Sequence, residues 1–147
     1  MSLPIHMTPE QLDLISQTLP DIQAHADGFS AEFYARCFIL FPESRELVSG
    51  DLGRALIDEF LRLASSVNDL DAFVARAHEL GVMHRGWGAS REHYDTIEEA
   101  LSCALEATLG DRYDEPTAHA WHRLYRLMAE TMLEGSAGAA FVAPRRS

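Results

Sequence analysis

Leu70-Asp71-Ala72-Phe73-Val74-Ala75-Arg76-Ala77-His78-Glu79-Leu80-Gly81-Val82-Met83-His84, followed at once by Arg85-Gly86-Trp87-Gly88, is the stretch that decides the fold. Leu70, Phe73, Ala77 and Leu80 recur at spacings of three and four, which is the stripe of an amphipathic helix, and the next step on that stripe is His84. His84 is therefore expected to face the core. A buried imidazole needs a partner for each ring nitrogen, and the positions one turn back, Leu80 and Gly81, offer no side-chain acceptor. That makes His84 the candidate metal ligand; the alternative is a core histidine hydrogen-bonded to backbone. The run Arg85-Gly86-Trp87-Gly88 reads as the helix break.

Composition narrows what such a helix serves. The chain has 147 residues, 47% of them apolar, and no apolar run of membrane-spanning length, which reads as one domain with room for a sizeable core and none for a second catalytic or reductase domain. The 12 basic and 23 acidic residues leave a formal charge of −11 with no basic stripe, so neither nucleic acid nor a membrane is expected as a partner. Every basic residue is arginine. The absence of lysine removes P-loop phosphate binding, pyridoxal Schiff-base chemistry and any lysine general base. Cys37 and Cys103 both fall inside expected helices and read as small core residues rather than as a disulfide framework. Met1 to Met7 carries Pro4 and His6 and lacks a long apolar stretch, so no secretory signal is read and a cytoplasmic location is expected.

The rest of the chain also reads as helix. Thr8-Pro9-Glu10-Gln11 combines a capping residue, proline at the first helical position and a side chain able to complete a capping box. That first helix is expected to end near Thr18, with Pro20 opening a second whose Phe29, Phe33, Cys37 and Phe41 repeat every four residues. Pro42 ends it and starts a short turn. From Asp51 a further helix carries Leu52, Leu56, Phe60, Leu63 and Val67 on one face, with Gly53 and Ala64 beside them. Ser90 is the expected N-cap of a helix with Tyr94, Ile97, Leu101, Ala104 and Leu105 at core spacing, which stops at Gly110. A last helix from about Glu115 buries Trp121, Leu124, Tyr125, Met128 and Met132. Residues 135–147, rich in Gly, Ala, Ser and Pro and ending in Arg145-Arg146, read as a flexible tail. No segment has strand alternation with hairpin turns, and there is no internal repeat. The class is all-α.

All-α domains with internal polar sites are mainly di-metal bundles, haem pockets or plain interaction modules. A di-iron bundle needs Glu-x-x-His on each of two helices, and no glutamate here has a histidine three residues on. His119 and His122 are three apart with no glutamate base between them, so they are not a metalloprotease motif and read as a solvated pair. His6, His25 and His93 are read as surface residues, and His78 lies off the apolar stripe. No Ser-His-Asp or Cys-His arrangement can be placed on this scaffold. A dinucleotide fingerprint is also missing, since Gly86-Trp87-Gly88 lacks a third glycine and no strand precedes it.

Three blocks carry a family resemblance. They are Phe33-Tyr34-Ala35-Arg36-Cys37-Phe38 with Phe41-Pro42-Glu43; Ala64-Ser65-Ser66-Val67-Asn68-Asp69-Leu70 running without a gap to His84; and Glu92-His93-Tyr94 continued by Leu101 to Gly110, Ala120-Trp121 and Tyr125. In this order they resemble the globins, and in particular bacterial single-domain haemoglobins and the haem domain of flavohaemoglobins. The resemblance covers residues 8–134, expected to be the globin domain. It implies a globin-like helical sandwich of about seven helices around a haem pocket, with haem b as cofactor and His84, rather than His78, as proximal ligand of its iron. Haem iron takes an imidazole nitrogen, while the second ring nitrogen donates to an acceptor on the preceding turn.

The resemblance assigns the other pocket positions too. Tyr34 matches the distal tyrosine whose hydroxyl donates to a gas ligand. Counting back from His84 puts Leu52 where these relatives carry a distal glutamine, Leu56 one turn on, and Val48 where a phenylalanine usually lies against the haem, with a short link between Val48 and Leu52. Leu80, Trp87, Tyr94 and Ile97 complete the expected lining, and Gly86 and Gly88 let the chain turn away from it. Tyr94 matches a tyrosine that supports the proximal histidine, but the glutamate that accompanies it is missing, because counting from Trp121 leads to the small residues near Ala139. The implied function is reversible binding of oxygen, nitric oxide or another diatomic gas for storage, delivery or sensing. Two alternatives are nitric oxide dioxygenation with electrons from a separate reductase, and a globin-fold sensor or interaction domain without haem.

Overall fold

Thr8 begins the first helix by the exchange that its sequence predicts. The Gln11 amide donates to Thr8 Oγ1 at 3.1 Å, and the Thr8 amide donates to Gln11 Oε1 at 3.0 Å. The computed structural model describes residues 7–47, 51–86 and 91–142, with side chains for all of these except 44, 47, 51–52, 70, 81–86, 91–92 and 134–142. Val48, Trp87, Ser90, His6 and Arg145-Arg146 therefore lie outside the described residues. Among the described residues there are seven α-helices: α1 (Pro9–Ala24), α2 (Ala26–Leu40), α3 (Ser44–Leu47), α4 (Asp51–Ser65), α5 (Leu70–Gly86), α6 (Arg91–Leu109) and α7 (Glu115–Val142). A 3-10 turn at Gly110–Arg112 precedes α7, and Gly110 takes a φ of 57°, the left-handed conformation that a helix stop favours in glycine.

Three boundaries differ from the sequence reading. Pro20 does not open α2 but lies inside α1, which continues to Ala24. A proline in a helix interior costs about 3 kcal/mol. Here the helix carries on because Ile15, Leu19 and Ile22, on both sides of the proline, are buried on one face. Helix α5 includes Arg85 and Gly86, the first two residues of the run read as its break; Trp87 and Gly88 lie outside the described residues. The backbone of α7 continues to Val142, beyond Leu133 and into the stretch read as a tail.

The expected apolar lines are mostly the buried ones. Phe29, Phe33 and Cys37 on α2, Phe73, Ala77 and Leu80 on α5, Leu101, Ala104 and Leu105 on α6, and Trp121, Leu124, Tyr125, Met128 and Met132 on α7 are all buried. Helix α4 departs from expectation in its middle: Ile57 and Leu61 are buried there while Leu56 and Phe60 are only half-buried, whereas Leu63 and Val67, and Gly53 and Ala64 beside them, are buried as expected. Both pairs are apolar, so helical spacing alone could not choose between them, and packing against α1 and α2 decides.

The core is tied together by two devices. Phe60 on α4 stacks with Phe29 on α2, centroids 6.4 Å apart, and meets Trp121 on α7 at 6.2 Å, so one ring joins three helices. The Trp121 indole N–H donates to Thr18 Oγ1 at 2.9 Å, and the Thr18 hydroxyl donates to the Leu14 carbonyl at 2.7 Å, which links α7 to α1 without an unsatisfied polar atom. At the surface, Arg112 fastens the 3-10 turn to α1 through the Gln17 carbonyl at 3.0 Å and the Asp21 carboxylate.

Candidate functional site

Helices α4 and α5 follow one another in sequence but rest on different supports. Among the described residues, α5 packs most extensively on α7, and α2 on α6, while α4 lies on α1 and α2; the backbones of α4 and α5 approach each other at few places. An ion-pair cluster spans the two. Arg76 on α5 donates through Nε to Glu59 on α4 at 2.8 Å and through Nη1 to Glu79 at 2.7 Å, and Arg62 reaches Glu59 at 2.9 Å. The Arg76 hydrogen bond is the main cause that holds the Glu59 carboxyl below the ordinary carboxylate range.

The candidate ligand lies on α5. Phe73, Ala77 and Leu80 form its buried line, and His84 is the next register position, still within the helix. The side chains of His84 and Leu52 lie outside the described residues, as do Val48 and Trp87 altogether.

Tyr34 lies on α2, half-buried, between Phe33, whose ring meets it edge-on at 4.9 Å, and Phe38, stacked at 5.8 Å. Its hydroxyl donates to the backbone carbonyl of Gly53 in the first turn of α4 at 3.0 Å. Burial, and secondarily the nearby Cys37, push the Tyr34 hydroxyl well above the ordinary phenol range, so it is a proton donor at any physiological pH. Burial likewise pushes the Cys37 thiol up to about 12, which makes it an inert core group.

The remaining expected lining residues divide by burial. Leu80 and Tyr94 are buried, while Leu56 and Ile97 are half-buried apolar side chains. Tyr94 is anchored through its backbone, since its carbonyl accepts the Tyr125 hydroxyl from α7 at 2.5 Å. The structure thus brings Tyr34 against the first turn of α4, next to Leu52 in sequence, and sets Tyr94 and Ile97 on α6, the helix on which α2 packs most extensively.

One histidine reading is corrected. His93 is half-buried rather than a surface residue, its ring stacked on Phe41 with centroids 4.6 Å apart. His122 is exposed as expected, and its Nδ1 meets the Glu98 carboxylate of α6, which Arg126 also approaches at 3.6 Å. His119 and His25 are exposed as expected, and the His25 Nδ1–H donates to the Asp21 carbonyl at 2.9 Å. Sequence reasoning missed the Gly53 carbonyl as the acceptor for Tyr34, and no signal could have found it, since every residue has a carbonyl.

The described residues thus present a histidine register position that follows a buried line on α5, a protonated phenol on α2 and half-buried apolar side chains on α4 and α6. The family profile described as Globin matches residues 50–132, more than half of the chain. The chain belongs to the globin family. It is similar to the flavohemoprotein of Halalkalibacterium halodurans, 23% identical over 134 residues that cover 87% of this chain and 33% of that protein. The flavohemoprotein of Deinococcus radiodurans is 26% identical over 133 residues, covering 86% of this chain and 33% of its own length. This globin thus spans about a third of the length of the curated relatives it matches. Among solved structures, an engineered carbene transferase from Rhodothermus marinus, RmaNOD, provisionally assigned as a nitric oxide dioxygenase, superposes with a TM-score of 0.84 at 24% identity. The match covers 95% of this chain and 99% of the other, and at that identity what the two share is the fold.

Proposed function

We propose that this globin binds haem b through His84 and uses it for the reversible binding of oxygen or another diatomic gas. The observation that carries the reading is the α5 line Phe73, Ala77 and Leu80, buried throughout, whose next register position is a histidine inside the segment that matches the family. The sparse approach of α4 to α5 and the half-buried Leu56 and Ile97 fit a flat apolar group bounded by these helices. Haem, when bound, would supply an iron able to take an imidazole nitrogen and a diatomic gas. His84 supplies the imidazole. Tyr34 keeps its proton and offers it as a hydrogen-bond donor, because burial opposes ionisation. Leu56, Leu80 and Ile97, with Val48, Leu52, Trp87 and Tyr94 by resemblance, line the site and limit the entry of water. The functional unit in this reading is residues 8–134.

A second reading, nitric oxide dioxygenation, is favoured by the flavohemoprotein relatives, of which this chain corresponds to about a third. It requires a separate reductase as electron donor. Adding haem to the purified chain and recording the intense near-ultraviolet haem band tests the main reading; absence of the band in the wild-type chain favours a haem-free sensor or interaction domain. Stopped-flow mixing of the oxygenated protein with nitric oxide, with and without a flavin reductase, separates gas carriage from dioxygenation.

A further inference from the structure

The Tyr34 hydroxyl is already occupied. It donates to the Gly53 carbonyl at 3.0 Å, and that carbonyl belongs to the first turn of α4, which an Arg54–Asp27 ion pair at 2.6 Å also ties to α2. A phenol has one proton to give. Any ligand that takes it must outcompete a backbone carbonyl, which is a good neutral acceptor. We propose that the Gly53 carbonyl acts as a competing acceptor that makes the site select ligands by their proton-accepting strength and reports occupancy to the first turn of α4. The inference rests on the haem-binding reading and concerns the same site.

Two ligands separate the cases. Oxygen on a ferrous haem carries anionic character and accepts strongly, whereas carbon monoxide accepts weakly. Oxygen is therefore expected to draw the hydroxyl off Gly53, and carbon monoxide to leave it there. Because the proton is exchanged between two acceptors rather than gained from solvent, only the difference between the two hydrogen bonds appears in affinity.

The test uses the haem-loaded wild-type chain and Tyr34→Phe, with carbon monoxide and oxygen as probes, and reads amide hydrogen exchange at residues 53–57 together with ligand release rates. Oxygen should raise exchange at 53–57 in the wild type by about threefold or more while carbon monoxide leaves it unchanged, and Tyr34→Phe should show the raised rate with either ligand or with none. Release of oxygen should quicken by about tenfold in Tyr34→Phe, and release of carbon monoxide by less than about twofold. The inference is overturned if exchange at 53–57 ignores oxygen in the wild type, even where Tyr34→Phe speeds oxygen release, since Tyr34 would then serve the ligand without leaving Gly53. It is also overturned if the haem-free Tyr34→Phe chain exchanges at 53–57 like the haem-free wild type. A wild-type chain that shows no haem band overturns the haem reading and this inference together; a band with ligand-independent exchange overturns this inference alone.

Discussion

At the residue scale, two polar side chains carry the predictions. His84 is the first of these. His84→Ala should remove the haem band or shift it to a ligand-free form, and about 10 mM free imidazole should restore it, because a small imidazole fits the volume removed with the side chain; restoration failing while the variant remains folded by circular dichroism would count against His84 as the axial ligand. Thr18 is the second. It receives the buried Trp121 indole N–H, and it passes its own proton to Leu14. Thr18→Val keeps the shape but leaves the indole unsatisfied, with an expected loss of about 1–3 kcal/mol in urea unfolding and a changed Trp emission wavelength. An unchanged unfolding midpoint would show that the indole finds another acceptor.

At the element scale, the informative relation is between α4 and α5. They are neighbours in sequence, but their supports differ and the Arg76–Glu59 ion pair joins them. Glu59 is largely buried in its side chain, at 16% exposure, whereas Arg76 is 44% exposed, so the pair is worth about 1 kcal/mol rather than a buried-pair value. The sign of its pH dependence follows from the lowered Glu59 value. A depressed carboxyl contributes stability that is complete above the unfolded value of about 4.3 and is lost as pH falls through the lower folded value. Glu59→Gln should therefore flatten the acid limb of stability below about pH 4.3 and cost about 1 kcal/mol above it, measured as the urea midpoint against pH. An acid limb identical to that of the wild type would remove this pair from the α4–α5 connection. Element boundaries show why local rules were only partly sufficient. Thr8 to Gln11 was legible because a capping box involves only four consecutive residues, while Pro20 was misread because its local cost is outweighed by burial of Ile15, Leu19 and Ile22 against distant helices.

At the scale of the whole molecule, a ligand that binds only the folded chain adds its binding free energy to folding. At a free haem concentration a hundred times the dissociation constant the gain is about 2.7 kcal/mol, which raises the melting temperature of a domain of this size by roughly 5–11 °C. Thermal unfolding with and without haem should show this shift in the wild type and little of it in His84→Ala; an equal shift in both would mean that haem is held elsewhere.

The sequence by itself determined the all-α class, the apolar lines of α2, α5, α6 and α7, and the register that puts His84 one turn beyond Leu80, because each of these is a periodicity carried by neighbouring residues. Tertiary structure alone decided that Ile57 and Leu61 rather than Leu56 and Phe60 are buried in the middle of α4, that Phe60 bridges Phe29 and Trp121, that His93 stacks on Phe41, and that Tyr34 spends its proton on Gly53. Those outcomes join positions far apart in the chain or involve a backbone carbonyl, which has no residue-type signature, so they are fixed only when the helices pack.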